Sequence, residues 1–115
     1  MRYTLPLPPS INSYWKRRRD GGVYKSPDAT AWEHEAGYSI MDHKKYGTTG
    51  IVVTCELYVG RVSSDIDNRI KILLDLLEKQ GIVENDKQVM ELHVYKFIDY
   101  ENPRVEMEVS KWVER

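Results

Sequence analysis

Three aspartates in the middle of the chain are of the type that binds a divalent metal, and one lysine beside them can offset negative charge. Asp65 and Asp67 stand where a predicted helix begins, and Lys71 lies one helical turn beyond Asp67. Asp86 follows the same helix, in an acidic turn that leads into a strand. Hard divalent cations prefer carboxylate oxygens from two or three chain segments, with water completing an octahedron. Asp65, Asp67 and Asp86 can supply such a set.

Each of these residues also has an ordinary structural interpretation. Aspartates at a helix start cap free N–H groups and complement the helix dipole, typically stabilising by roughly 0.5–2 kcal/mol. Lys71 can form an i,i+4 ion pair with Asp67 or Asp75, worth about 0.3–0.5 kcal/mol, and Asp86 can be a simple turn residue. Residues two apart on a helix point about 200° apart, so Asp65 and Asp67 converge only if Asp65 lies in the extended segment before the helix.

The positive charge of the chain is concentrated near its N-terminus. Residues 1–25 carry six basic side chains against one acidic, a balance of +5 that leaves −6 for residues 26–115. This asymmetry favours a polyanion-facing edge. The run Lys16, Arg17, Arg18 and Arg19 can follow phosphates, or it can be a solvated charged surface, and both interpretations stay open.

The elements that must position these residues follow from the hydrophobic pattern, which predicts the order β-α-β-α-β-β. Residues 12–26 have neither strand nor helix periodicity and are predicted to form a mobile loop. Pro8-Pro9 ends the first strand, which we expect at an edge of the sheet. The last two strands read as a hairpin joined by residues 99–103. The predicted strands are 2–7, 51–59, 88–97 and 104–109, and the predicted helices are 28–45 and 66–80.

The length supports a single domain over residues 1–115, and the element order places it in the α+β class, as a small mixed sheet covered by two helices. Of its 115 residues, 41% are hydrophobic and 30% charged, enough for one core. No apolar run approaches the roughly 18 residues of a membrane span, and a secretory signal is not evident. The single cysteine, Cys55, excludes an internal disulfide and a cysteine zinc site. We therefore expect a cytoplasmic protein.

Two blocks of sequence resemble the RusA-like family of Holliday-junction resolvases, the crossover-junction endodeoxyribonucleases. The resemblance runs from near the N-terminus to the last strand, with the blocks in the family's order. The opening block is Leu5-Pro6-Leu7-Pro8-Pro9-Ser10-Ile11-Asn12, with Tyr14 close behind. The central block is Asp65-Ile66-Asp67-Asn68, then Lys71, then Asp86 with Gln88-Val89.

This resemblance implies an enzyme of DNA recombination and repair that resolves Holliday junctions as a homodimer, by paired symmetric cleavage. It implies that Asp65, Asp67 and Asp86 bind Mg²⁺, with Mn²⁺ as a substitute, and that Lys71 assists the reaction. Asn68 then either orients a metal ligand or water, or serves the first helical turn structurally.

The resemblance also suggests where DNA binds. Asn12 and Tyr14 are expected to contact DNA or the catalytic aspartates, and Lys16 with Arg17, Arg18 and Arg19 to follow phosphates. The chain departs from better-known members in one respect: Gly60-Arg61-Val62-Ser63-Ser64 stands where they carry a basic run. Junction affinity is then lower, or shifted onto residues 16–19.

Two alternative functions stay open at this stage. A nuclease of the same chemistry can prefer flaps, replication forks or other branched DNA. A non-catalytic module can keep the fold and bind junctions without cutting them. The aspartates and Lys71 argue against the module, because DNA binding alone favours fewer carboxylates.

Overall fold

The structure is a computed structural model that describes residues 1–41 and 43–114. This part of the chain forms a four-stranded mixed sheet, a separate two-stranded sheet and three helices. The strands are β1 (Arg2–Pro6), β2 (Trp15–Arg17), β3 (Val23–Lys25), β4 (Ile51–Val59), β5 (Val89–Ile98) and β6 (Arg104–Lys111). The helices are α1 (Ile11–Tyr14), α2 (Pro27–Ser39) and α3 (Ile70–Lys79).

The large sheet has the order β1-β6-β4-β5, in which β5 runs parallel to β4 and the other neighbours are antiparallel. Alternate β4 residues, from Ile51 to Val59, are buried and share one core with apolar residues of α2 and α3. The residues between them are half-buried, because successive strand side chains point to opposite faces. The α+β class, the mixed sheet and the edge position of β1 are confirmed.

The predicted hairpin of the last two strands is wrong, because β4 lies between β5 and β6. The chain leaves β4, passes through α3 and returns as β5 parallel to β4, as a β-α-β unit does. It then crosses the end of β4, where the Asp99 amide donates to the Val59 carbonyl at 2.9 Å. The Arg104 guanidinium lies 4.0 Å from the Tyr58 ring centroid and pairs with Asp99, which holds this crossing in place.

Helix α2 begins where predicted but ends at Ser39, not at residue 45. The Ser26 hydroxyl caps its start by accepting the Ala29 amide at 3.1 Å. Beyond the helix the chain turns back toward the sheet, and the Tyr46 amide donates to the Ile82 carbonyl at 2.8 Å. Residue 42, within the predicted helix, and residue 115, at the end of the predicted domain, lie outside the described residues.

Helix α3 starts at Ile70, four residues later than predicted. Its apolar stripe packs into the core, whereas Ile66, which the pattern placed on that stripe, is exposed. The helix ends at Lys79, one residue before the predicted end, and Gly81 follows it as predicted, with a φ of 75° in the left-handed region that suits glycine. The late start leaves residues 60–69 as an irregular connection between β4 and α3.

The prediction of a loop over residues 12–26 is wrong in part. Helix α1 ends at Tyr14, and β2 pairs with β3 in an antiparallel hairpin. Its tip is closed by Gly21, with φ of 91°, and by the Asp20 carboxylate, which accepts the Gly22 amide at 2.9 Å. Strands of three residues are too short to show a period of two, so the pattern could not reveal them.

Candidate active site

Asp65 and Asp67 both lie in the irregular segment 60–69, just before α3, and both are exposed. Their side chains could converge only if Asp65 lay before the helix, and the structure places it there. The segment is held from β5, where the Lys96 ammonium donates to the carbonyls of Val62 at 2.8 Å and Ser64 at 3.0 Å. Lys96 therefore fixes the backbone immediately before Asp65.

The other side of this segment is tied to the proline-rich turn near the N-terminus. The Ile11 amide donates to the Asn68 carbonyl at 2.8 Å, and the Arg69 guanidinium donates to the Pro8 carbonyl at 2.8 Å. Burial lowers the pKa of Arg69, while the charge of Asp65 acts in the opposite direction. These bonds join the two sequence blocks that carry the family resemblance, although they are 50 residues or more apart in the chain.

Lys71 and Asp86 meet directly. The Lys71 ammonium lies 2.5 Å from a carboxylate oxygen of Asp86 and 3.0 Å from one of Asp75. The hydrogen bond with Asp86, and then the one with Asp75, raises the pKa of Lys71, and the bond with Lys71 lowers the pKa of Asp86. The lysine is therefore cationic and Asp86 anionic at neutral pH. Of the two predicted i,i+4 partners, the observed ion pair is with Asp75.

Asp86 begins a single 3₁₀ turn that Gln88 locks in place. The Gln88 amide nitrogen donates to two carbonyls of the 47–49 loop, at 2.7 and 2.9 Å. Its amide oxygen accepts the backbone N–H groups of Glu84 and Asn85, each at 2.9 Å. All of the amide's polar atoms are thus used to hold the turn, which fixes Asp86 opposite the start of α3.

The aspartates do not form a complete ligand set as they stand. Among residues 1–41 and 43–114, no group of three or more histidine, cysteine, aspartate or glutamate side chains is close enough to hold a metal ion. Asp67 and Lys71 line one open groove between α3 and β5, and Asp86 is engaged by Lys71. The carboxylate chemistry nevertheless suits a hard cation, because oxygen donors are what Mg²⁺ prefers.

The residues expected to contact DNA divide into two groups. Asn12, Lys16 and Arg17–Arg19 are exposed, so they are available to a ligand. Tyr14 is only 6% exposed, and its hydroxyl donates to the Glu33 carboxylate. A part for Tyr14 in DNA binding is therefore indirect.

Comparison with known proteins identifies the family of this chain. A family model described as endodeoxyribonuclease RusA matches residues 6–110, which include every residue of the candidate site described above. The chain belongs to the RusA family of crossover junction endodeoxyribonucleases. The family resemblance read from the two sequence blocks is confirmed, and the protein is a nuclease.

Several RusA relatives are similar over most of their length. The crossover junction endodeoxyribonuclease RusA of Aquifex aeolicus is 34% identical over 100 residues, which cover 84% of this chain and 79% of the relative. The protein of the same name in Enterobacteria phage HK97 is 28% identical over 114 residues, 96% of this chain and 93% of the relative. That of Escherichia coli K12 is 29% identical over 112 residues, 94% and 92% of the two chains.

Sequence reasoning missed the structural roles of three residues around this candidate site. Lys96 carried no signal, because a lysine in an alternating strand pattern reads as a solvent-facing residue. Glu33 lay in a predicted helix, and no local pattern indicated that it contacts Tyr14, Lys25 and Lys79. Gln88 was part of the family block, but its role in bracing Asp86 depends on the 47–49 loop, which is distant in sequence.

The helices of this RusA domain are short. Across the described ranges, none is long and apolar enough to cross a bilayer.

Proposed function

We propose that this RusA-family endonuclease resolves four-way DNA junctions by paired, metal-dependent cleavage of phosphodiester bonds. The observation that carries the proposal is the Lys71–Asp86 ion pair beside the Asp65–Asp67 segment, at the start of α3. It joins a cation that can offset phosphoryl charge to a carboxylate of the candidate metal set. The relatives named above as crossover junction endodeoxyribonucleases support the choice of substrate.

Asp65, Asp67 and Asp86 would hold the cation, which we propose to be Mg²⁺ with Mn²⁺ as a substitute. Bound there, such an ion activates water as a nucleophile and acts as a Lewis acid toward the phosphate. Holding it with all three carboxylates requires the exposed Asp65 and Asp67 side chains to turn toward Asp86. Lys71 then has to share Asp86 with the ion.

Lys71 supplies positive charge that the aspartates do not. Its raised pKa keeps the ammonium protonated, so it can stabilise charge that develops on the phosphoryl oxygens and the departing oxygen. Asn68, at the end of the same segment, has its backbone carbonyl bonded to Ile11, and its side-chain oxygen accepts from Arg69 at 3.4 Å. We propose that Asn68 keeps this segment in register and orients a metal ligand or water.

The hairpin formed by residues 15–25, here called the basic arm, is the proposed DNA-binding element. Lys16, Arg17, Arg18 and Arg19 are exposed along it, and Asp20 is its one acidic residue. Trp15, at its foot, is 47% exposed. Basic side chains on a protruding hairpin can follow a phosphate backbone without base contacts, so the arm suits recognition of DNA shape.

We further propose that the protein acts as a homodimer through β5. This ten-residue edge strand carries exposed Tyr95 and Phe97 on one face, and the Phe97 ring stacks on Tyr58 with centroids 5.1 Å apart. Long apolar edge strands are normally covered, and a four-way junction presents two symmetric strands to two active sites.

Replacing Tyr95 and Phe97 together with glutamate is expected to yield a monomer that nicks junctions without pairing the two cuts. Like charges facing each other across a two-fold contact would prevent association. Light scattering coupled to size-exclusion chromatography reports the mass. Tyr100→Glu, an exposed aromatic residue beyond β5, should leave the dimer intact. A monomeric wild type would contradict the dimer.

The function itself is tested by incubating the wild type with a mobile four-way junction, in Mg²⁺ and in EDTA. We expect symmetric paired nicks in Mg²⁺, no cutting in EDTA, and no cutting of linear duplex of the same sequence. Binding of the junction without cutting under any divalent cation would favour the non-catalytic module. Faster cutting of flaps or forks than of junctions would favour a nuclease for other branched DNA. We propose the cytoplasm as the place of action.

A further inference from the structure

The basic arm is too small to hold its own orientation. It consists of two strands of three residues in a sheet of their own, and most of their side chains are exposed. An isolated two-stranded hairpin is marginally stable in water. The direction in which the arm projects must therefore be set at its feet.

One carboxylate binds both feet of the arm. Glu33, on α2, accepts a hydrogen bond from the hydroxyl of Tyr14, the residue just before β2. The Lys25 ammonium, at the end of β3 on the other strand of the hairpin, lies 2.7 Å from Oε1 of the same carboxylate. Lys25 is paired in register with Trp15, the first residue of β2. Glu33 thus clamps the two strands where they leave the domain.

A third donor connects this clamp to the catalytic helix. The Lys79 ammonium, in the last turn of α3, lies 2.6 Å from Glu33. At the other end of α3, the Asn68 carbonyl accepts the Ile11 amide, and Ile11 begins the short helix that ends at Tyr14. The base of the arm is therefore attached near both ends of α3, the helix that carries Lys71.

The Glu33 carboxylate is largely shielded, with 15% of its side chain exposed. Burial raises the pKa of Glu33, but the hydrogen bonds from Lys25, then Lys79 and then Tyr14 outweigh it, and the pKa falls to about 2. The carboxylate is thus ionised at any working pH, so the clamp is permanent. Charge-assisted bonds of this kind are about twice as strong as neutral ones, so Glu33 holds the base of the arm more firmly than a neutral acceptor would.

We propose that Glu33 is a positioning residue, which orients the basic arm relative to Lys71 and Asp86 so that DNA held by the arm meets the site. This inference rests on the proposed function, because junction DNA is taken as the ligand of the arm. Glu33 itself need not touch DNA. Its effect has to pass through the arginines of the arm, and that dependence can be measured.

The experiment combines Glu33→Gln with neutralisation of the arm by Arg17→Gln, Arg18→Gln and Arg19→Gln. Junction dissociation constants are measured in EDTA at several salt concentrations, and single-turnover cleavage is measured in Mg²⁺ at saturating enzyme. The logarithm of the association constant falls linearly with the logarithm of salt concentration, and in the arm variant this slope should be shallower by about 2–3. Glu33→Gln should weaken binding about tenfold in the wild type and less than about twofold in the arm variant. Because the arm would then present the DNA less accurately to Lys71 and Asp86, cleavage of bound junction should also slow with Glu33→Gln, and should slow less in the arm variant.

Glu35→Gln is the matched control, because Glu35 is exposed on the same helix and loses the same charge. It should bind like the wild type. Tyr14→Phe removes one donor while keeping the buried ring, and should show a smaller loss with the same dependence on the arm, which tests the idea even if Glu33→Gln does not fold. Equal losses with and without the arm arginines, or no loss for either variant, would overturn the inference. A wild type that neither binds nor cuts junctions would instead refute the proposed function.

Discussion

Replacing Asp65 with asparagine is expected to lower junction cleavage roughly 10³-fold while leaving junction binding unchanged. Asparagine keeps the shape of the side chain but removes the charge, and so weakens the hold on a divalent cation. Asp65 is exposed in the segment before α3, so the fold does not depend on it. The measurement is a single-turnover cleavage rate across a Mg²⁺ titration, with binding measured separately in EDTA.

The matched control is Asp28→Asn, which removes one exposed carboxylate from the first turn of α2. We expect this variant to cleave at the wild-type rate. Raising Mg²⁺ should recover part of the Asp65→Asn activity if the lost carboxylate acts through the metal. Cleavage by Asp65→Asn at the wild-type rate would show that Asp65 is not a metal ligand.

Replacing Lys71 with methionine is expected to slow cleavage about 10²-fold at saturating Mg²⁺. The ammonium is the cation held 2.5 Å from Asp86, and methionine removes the charge while keeping most of the length. The same change frees Asp86 from its partner. The Mg²⁺ concentration for half-maximal cleavage should therefore fall or stay the same while the maximal rate drops.

This opposite movement of rate and metal requirement distinguishes a role in the chemistry from a role in assembling the metal site. Lys71→Arg, which keeps the charge, should recover part of the rate. Lys87→Met, an exposed lysine next to Asp86, is the control and should change neither quantity. A Lys71→Met variant that needs more Mg²⁺ but reaches the wild-type rate would contradict the proposed role.

Much of the fold was accessible from the hydrophobic pattern. The alternation over β4 and the apolar stripe of α3 are long enough for their periods to be unambiguous, and both elements were found. The hairpin of the last two strands was wrong, because residues 99–103 look like a tight connection whether or not a third strand lies between. Two strands that are consecutive in the sequence need not be neighbours in the sheet.

The residue types of the candidate site were accessible as well. The two aspartates before α3, the lysine after them and Asp86 were found from their chemistry, and the family blocks supplied the meaning of that set. Their supports were not accessible. Lys96 lies on β5 and donates to a carbonyl 34 residues earlier, in the 60–69 segment. Gln88 donates to a carbonyl 41 residues earlier, in the 47–49 loop.

The sequence by itself determined the family, the charged residues available for catalysis and the basic stretch near the N-terminus. These properties depend on residue identity and on spacings of a few positions, which are visible in the sequence itself. Only the tertiary structure decided that Lys71 pairs with Asp86, and that Glu33 binds both feet of the arm and the end of α3. Such contacts join residues from separate segments, and packing of the core brings those segments together. A charge in a helix pattern therefore cannot reveal its partner until the sheet order and the crossings between strands are known.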